Sequence, residues 1–95
     1  MGIKEKKEIY IKFFKALSNS ERLDMVDLIK QNKEMFAQDV ESRFYLEQST
    51  TSHHLNTLKR AGIAKSRKKG RNIYYSIDYE HFQAMWDEIG KVLFE

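Results

Sequence analysis

The amino-acid sequence predicts an α+β fold that is mainly α-helical. Apolar residues recur at helical spacing in several segments, and two short strand-like segments flank a turn that contains glycine. The chain has 95 residues, a length that fits one domain and excludes an enzyme with separate substrate and cofactor domains. We therefore expect a single domain over residues 1–95.

The composition of the chain restricts its cellular compartment and the kinds of site it can form. The chain contains no cysteine, which excludes disulfides and thiolate metal sites and fits a reducing compartment. No apolar run approaches the roughly 20 residues that cross a bilayer, and the charged run from Lys4 to Glu8 does not resemble a signal peptide. We expect a cytoplasmic protein without membrane association. A domain this small has a marginal core, so a partner subunit is also expected.

Three helices are predicted in the first half of the chain. The first covers about Lys4–Leu17, where apolar residues recur at helical spacing. Ser18 and Asn19 offer N-caps for the second, and Ser18 with Glu21 matches a capping box. The buried side of the second helix is expected to carry Leu23, Val26 and Ile29 or Lys30. A short third helix fits Ala37–Phe44, with Val40 and Phe44 facing inward.

The fourth helix, about Glu47–Arg60, has two chemically different sides. Thr51, Leu55 and Leu58 fall on one side at about 100° per residue. The opposite side carries only short or planar hydrogen-bonding groups at spacings of 4, 3 and 4, namely Ser49, His53, Asn56 and Arg60. Gly62 follows where a helix ends with a left-handed cap.

A hairpin and a last helix are predicted after Gly62. The strands are Ile63–Arg67 and Asn72–Ile77, joined by a turn over Lys68–Arg71 in which Gly70 supplies a positive φ. The last helix covers about Tyr79–Phe94, and its apolar stripe is wider than one small core can cover.

Charge is concentrated in one part of the chain. Residues 47–72 hold seven basic side chains and one acidic side chain, although the whole chain carries a net charge of only +3. A basic block inside a folded segment is typical of a protein with a polyanionic partner. An ordinary solvated charged face remains the alternative.

These elements together predict a winged helix-turn-helix. Helices 37–60 form the helix-turn-helix, and residues 63–77 form the wing. A helix fits the DNA major groove, where Arg suits guanine and Asn suits adenine, while basic wing residues neutralise phosphates. A surface helix beside a charged hairpin, with no nucleic-acid role, is the alternative.

The chain also resembles the ArsR/SmtB family of transcriptional repressors. The matching segments are Phe14–Ile29 (FKALSNSERLDMVDLI), Gln48–Gly62 (QSTTSHHLNTLKRAG) and Arg67–Ile77 (RKKGRNIYYSI). The string S-x-H-H-L-x-x-L-x-x-A-G followed by G-R-x-x-Y-Y is a specific signal. The resemblance implies a homodimer that binds an inverted-repeat operator and represses transcription, with residues 1–17 and 79–94 as dimerisation helices.

The resemblance and the polar stripe together give the candidate site residues. By position, Gln48, Ser49, Thr50, Ser52 and His53 correspond to operator-reading residues and Arg67, Lys69 and Arg71 to wing contacts. The stripe itself adds Asn56 and Arg60, and the cationic turn adds Lys68. The resemblance places the dimer interface on Ile9, Phe13, Phe82, Met85, Trp86, Ile89 and Leu93.

The metal sites of the family find little support here. Phe36 and Gln38 occupy the positions of one Cys-x-Cys pair. At a second site, on the last helix, only His81 and Glu95 are able to bind a metal, so we expect neither a metal nor a cofactor. His53 and His54 lie about 100° apart on a helix and cannot share a metal; we expect His53 to face DNA and His54 the helix-packing seam.

Other function classes have weaker support. Trp86, Tyr74 and Tyr75 could line a ligand pocket, but aromatic residues at this spacing are expected in the core. No cluster offers an activated nucleophile or base, so we do not expect an enzyme. Two alternatives remain, a non-specific nucleic-acid-binding winged-helix module and a protein-interaction module.

Overall fold

The five helices and the wing occur in the predicted order. The computed structural model describes residues 2–95. The helices are α1 (Ile3–Leu17), α2 (Ser20–Asn32), α3 (Ala37–Phe44), α4 (Gln48–Arg60) and α5 (Tyr79–Phe94), and the strands are β1 (Met35–Phe36), β2 (Ala64–Lys69) and β3 (Asn72–Ile77). The predicted mainly α-helical winged helix-turn-helix is therefore confirmed.

The start of α2 differs from the predicted capping box at Ser18. Asn19 is the N-cap, and its Oδ1 accepts a hydrogen bond from the Arg22 backbone N–H at 3.0 Å. The Ser18 hydroxyl instead donates to the Lys15 carbonyl at 2.9 Å, at the end of α1. Ser18 therefore closes the preceding helix, and the Ser18–Glu21 capping box was wrong.

The buried side of α2 also differs from the prediction. Met25 and Ile29 are fully buried, whereas Leu23 is 51% exposed and Lys30 is exposed. The reason is that the neighbouring Arg22 turns towards α1 and α4, where its guanidinium makes hydrogen bonds, so the next residue along the helix points away. The expected burial of Leu23 was wrong.

Two tight reversals set the orientation of α4. Before α4, Leu46 N–H donates to the Glu41 carbonyl at 3.2 Å, and Tyr45 takes a left-handed conformation with φ of 54°. After α4, Ile63 N–H donates to the Leu58 carbonyl and Gly62 N–H to the Lys59 carbonyl, both at 3.0 Å. This second pattern is a Schellman motif, and Gly62 supplies its positive φ of 79° as predicted.

The wing belongs to a three-stranded antiparallel sheet rather than to a two-stranded hairpin. The strand order is β1-β3-β2, with Met35 opposite Tyr75 and Ala64 opposite Ile77. The two-residue strand β1 was not predicted. β2 continues through Lys69, so Lys68 and Lys69 lie in the strand and the turn is formed by Gly70, with φ of 62°, and Arg71.

The core lies between the helices and the inner face of the sheet. Side chains from all five helices contribute to it, including the fully buried Phe13, Met25, Ile29, Val40, Leu55 and Leu58. The Phe13 ring packs against Phe82 with ring centroids 5.4 Å apart. α1 and α5 are also joined by the Tyr10 hydroxyl, which donates to Glu88 at 2.9 Å.

Burial corrects three expectations about the aromatic and apolar residues. Phe13 and Ile89, expected at a dimer interface, are 0% and 4% exposed because the core of the chain itself encloses them. Trp86, expected both in the core and at the dimer interface, is 54% exposed and stacks on Phe82, so the core expectation was wrong. Tyr75 is buried and Tyr74 half-buried, as expected of core aromatics.

Candidate nucleic-acid interface

The outer side of α4 is an exposed polar stripe. Ser49, His53, Asn56 and Arg60 are all exposed along it. Thr51, Leu55 and Leu58 on the opposite side are no more than 1% exposed, so the helix is anchored through its apolar side. Among the other predicted contacts, Gln48 and Ser52 are exposed and Thr50 is half-buried. A stripe of this kind can donate and accept hydrogen bonds at base edges.

His54 fixes the rotation of α4 about its own axis. The imidazole is 6% exposed and lies between Arg22 and Glu21 of α2. Arg22 Nη1 donates to His54 Nδ1 at 3.1 Å, and since arginine only donates, Nε2 carries the proton that His54 shares with Glu21 Oε1 at 3.0 Å. His54 thus lies in the helix-packing seam, as predicted, while His53 beside it stays exposed.

Arg22 extends this network to the end of α1. Its Nε donates to the Ala16 carbonyl at 2.8 Å and its Nη2 to the Lys15 carbonyl at 3.1 Å. A cation at the last carbonyls of a helix is favoured by the helix dipole. One guanidinium therefore joins α1, α2 and α4. This role of Arg22 has no signal in the sequence, because its partners lie on other helices.

The cationic side chains at the tip of the wing are exposed to solvent. Lys68, Lys69 and Arg71 are exposed, and none of them forms an ion pair with a carboxylate of residues 2–95. The wing therefore offers three uncommitted positive charges beside the turn at Gly70. Charges in this arrangement contact phosphates without reading sequence.

Arg67, predicted as a wing contact, is already engaged by a carboxylate. Its Nε and Nη2 donate to the two carboxylate oxygens of Glu34, each at 2.7 Å. The guanidinium also lies 5.2 Å from the centre of the Tyr74 ring. Arg67 therefore ties the wing to the loop between α2 and β1. No local pattern in the sequence indicates Glu34, because the pair spans 33 positions of the chain.

Replacement of Glu34 by Gln should flatten the acid side of the stability profile. The hydrogen bonds from Arg67 hold the pKa of Glu34 below its ordinary value. A carboxyl with a lowered pKa stabilises the fold above its unfolded pKa and loses that effect as the pH falls through its folded pKa. Thermal unfolding of wild type between pH 7 and pH 3 should therefore show a steeper fall in Tm than that of Glu34→Gln. Asp24→Asn is the control, because Asp24 is exposed and pairs with no cation of residues 2–95, and its profile should follow wild type. Equal profiles for wild type and Glu34→Gln would contradict the role of the pair between Glu34 and Arg67.

The two candidate metal ligands lie at opposite ends of α5. His81 is exposed in its first turn, with its ring against Gly62, and Glu95 follows the last residue of the helix. At 1.5 Å per residue they are about 20 Å apart. Within residues 2–95 no three potential metal ligands cluster, so one chain does not bring these two residues together.

Apolar side chains remain exposed on α1 and α5. Ile9 is 46%, Trp86 54% and Leu93 43% exposed, while Phe82 and Met85 are half-buried beneath them. Ile3 and Phe94 are exposed as well, at 42% and 83%. Five large apolar groups on two helices form a surface that water solvates poorly. None of the helices in residues 2–95 combines the length and apolarity that a transmembrane span requires.

The fold, the polar stripe of α4 and the cationic wing define a winged helix-turn-helix regulator. The model of the arsR family of bacterial regulatory proteins matches residues 19–66. The chain belongs to this family. The relatives described below are named as transcriptional regulators.

Curated relatives agree with this assignment. The chain is 40% identical over 74 residues to a cadmium resistance transcriptional regulatory protein CadC homolog of Staphylococcus aureus, covering 78% of this chain and 61% of the relative. It is 40% identical over 65 residues to the transcriptional repressor SdpR of Bacillus subtilis, covering 68% and 71%. The chain thus spans less than two thirds of the length of the staphylococcal relative.

Solved structures share the fold across nearly the whole chain. NolR from Sinorhizobium fredii matches with a TM-score of 0.72 at 26% identity, covering 94% of this chain and 88% of NolR. A homodimeric winged helix-turn-helix DNA-binding domain from Mycobacterium bovis matches with a TM-score of 0.77 at 24% identity, covering 98% and 88%.

Proposed function

We propose that this chain is a sequence-specific repressor that binds an inverted-repeat operator in double-stranded DNA as a homodimer. The observation that carries the proposal is the exposed polar stripe of α4 beside the uncommitted cations of the wing. The hydrogen-bonding groups of the stripe are complementary to base edges. The cations of the wing are complementary to phosphates.

The polar stripe supports sequence reading in the major groove. That groove is about 12 Å wide and admits one α-helix. Ser49 and His53 lie in the N-terminal half of α4, the part that contacts base edges when a recognition helix docks. Asn56 and Arg60 continue the stripe. The Asn56 side chain suits adenine, and the Arg60 side chain suits guanine or a phosphate.

The exposed apolar groups of α1 and α5 support the homodimer. Ile9, Trp86 and Leu93 would be covered by the same surface of a second copy, over half-buried Phe82 and Met85. A two-fold dimer presents two α4 helices to the same face of a duplex, and paired half-sites lie about one helical turn, or 34–36 Å, apart. The homodimeric Mycobacterium bovis domain shares this fold.

The names of relatives bear on the direction of regulation. The Bacillus subtilis relative is named a transcriptional repressor, and the chain also matches a Vibrio cholerae relative named a transcriptional activator, at 32% identity. The higher identity, 40%, favours repression. A reporter under the control of the bound promoter should be silenced by the wild-type protein.

The proposal is tested by titrating the protein against DNA from its own promoter and against an unrelated duplex at several salt concentrations. Promoter DNA should be bound at least about 1,000-fold more tightly than the unrelated duplex, with a footprint of two symmetric half-sites. Equal affinity for both duplexes would favour the non-specific module. A dimer that ignores all duplex DNA would favour the protein-interaction module.

Two single variants separate the roles of the stripe and the wing. Arg71→Ala should weaken binding to both duplexes and lower the slope of log affinity against log salt by about 1, because a phosphate contact is lost. His53→Ala should leave the slope nearly unchanged and reduce the promoter preference instead. Equal behaviour of the two variants would contradict the division between base and phosphate contacts.

A further inference from the structure

A cleft separates α1 from the polar stripe of α4. Its volume is about 430 Å³, and α4 contributes His53 and Thr57 to it. From the opposite wall, α1 contributes Ile11, Lys12 and Lys15. His53 belongs both to this cleft and to the polar stripe, so the cleft opens directly beside the candidate DNA-reading surface.

Helical geometry explains why the two lysines share this wall. Lys12 and Lys15 are three positions apart, which places them on one side of α1. Both are exposed, and neither forms an ion pair with a carboxylate of residues 2–95. Both ammonium groups are therefore uncommitted, like the cations of the wing.

Two further polar groups of the cleft, Arg22 and Thr57, are already used inside the chain. The Arg22 guanidinium donates to two carbonyls of α1 and to His54. The Thr57 hydroxyl donates to the His53 carbonyl at 2.8 Å. Glu8 is the one carboxylate that lines the cleft, and it lies a helical turn before Lys12. The two lysines therefore dominate the charge beside His53.

The cleft is lined by residues of α1, α2 and α4. None of the wing residues 63–77 lines it. A helix in the major groove is bordered by two phosphate backbones, and one wing on one side of that helix contacts only one of them. Lys12 and Lys15 are cations beside α4 that do not belong to the wing, so they are available to contact the second backbone.

We propose that Lys12 and Lys15 of α1 are a second phosphate-binding site, which contacts the DNA backbone that the wing does not contact. This inference rests on the proposed function and extends its interface to α1, which the sequence analysis assigned to dimerisation alone. Ile9, three positions before Lys12, lines a second groove with Met85 of α5, and Lys12 borders both grooves. α1 thus offers an apolar group to a partner subunit and two cations to DNA.

The test compares two double variants of the full chain. Lys12→Gln/Lys15→Gln removes both cations of the cleft. Lys4→Gln/Lys7→Gln removes two exposed lysines of the same helix at the same spacing of three, outside the cleft. Each variant loses the same charge, so the control accounts for the general attraction between protein and DNA. Circular dichroism and sedimentation check that both variants are folded and keep the oligomeric state of wild type.

Affinity for promoter DNA and for an unrelated duplex is then measured as a function of salt. Lys12→Gln/Lys15→Gln should bind both duplexes about tenfold more weakly or worse near physiological salt, with a salt slope lower by about 2. Its preference for promoter DNA should persist, because phosphate contacts carry no sequence information. Lys4→Gln/Lys7→Gln should change the slope by much less.

Two results would overturn the inference while the proposed function stands, and a third would overturn both. If wild type binds its promoter and the cleft variant retains wild-type affinity and slope, the second site is absent while the repressor proposal stands. Equal losses in both double variants would show a general charge effect. If wild type binds no duplex at all, the proposed function fails and the second site fails with it.

Discussion

Phe13→Ala should lower the free energy of unfolding by about 3–5 kcal/mol, the range for a large aromatic side chain removed from a core. The Phe13 side chain is 0% exposed, and its ring packs against Phe14 and Phe82 with centroids 5.7 and 5.4 Å away. Loss of the ring leaves a cavity at the contact between α1 and α5 that neither helix can close by a small shift. Urea denaturation followed by circular dichroism measures the change.

Phe14→Ala is the matched control, because it removes the same ring from the next position of the same helix. Phe14 is 43% exposed, so its replacement should cost about 1 kcal/mol or less. Equal losses from the two variants would contradict the assignment of Phe13 to the core. They would also restore the expectation that Phe13 faces a partner subunit.

Gly62→Ala should lower the free energy of unfolding by about 2 kcal/mol or more. The backbone at Gly62 has a φ of 79°, which costs an L-residue about 1–2 kcal/mol. A Cβ at this position also meets the imidazole ring of His81, which lies directly on Gly62. The variant must therefore strain the end of α4 and displace the start of α5. Thermal and urea unfolding report the loss.

Two further variants separate these contributions. Gly70→Ala has a similar φ of 62° but no atom within 4 Å of its Cβ, so it should cost only the backbone part, about 1 kcal/mol. Gly62→Ala combined with His81→Ala should recover the difference between the two glycine variants. If Gly62→Ala and Gly70→Ala prove equally stable, the contact with His81 contributes nothing.

Local signals explain why most of the fold was predictable. The bounds of α3, β3 and α5 agree with the predicted Ala37–Phe44, Asn72–Ile77 and Tyr79–Phe94. Each of these segments has its own periodicity and its own end signals within a few residues. The strand β1 carries no such signal, because two residues become a strand only through pairing with Tyr74 and Tyr75 of β3.

The candidate site was predictable to the extent that it depends on one helix. The polar stripe of α4 follows from helical periodicity alone, and the structure leaves all four of its residues exposed. Helical periodicity did not predict which apolar side chains of α1 and α5 are buried and which are exposed. A helix that is apolar on more than one side does not indicate which side its own chain covers, so Phe13 was placed at the dimer interface although the core encloses it.

The position of β2 in the sheet has a consequence for solution behaviour. β3 is paired on both sides, so β2 is an edge strand whose outer backbone groups are free to pair with another chain. Its exposed side chains Lys65, Lys68 and Lys69 give that strand a positive charge, a common protection against edge-to-edge aggregation. Neutralising this strand would therefore promote self-association, whether or not any nucleic acid is present.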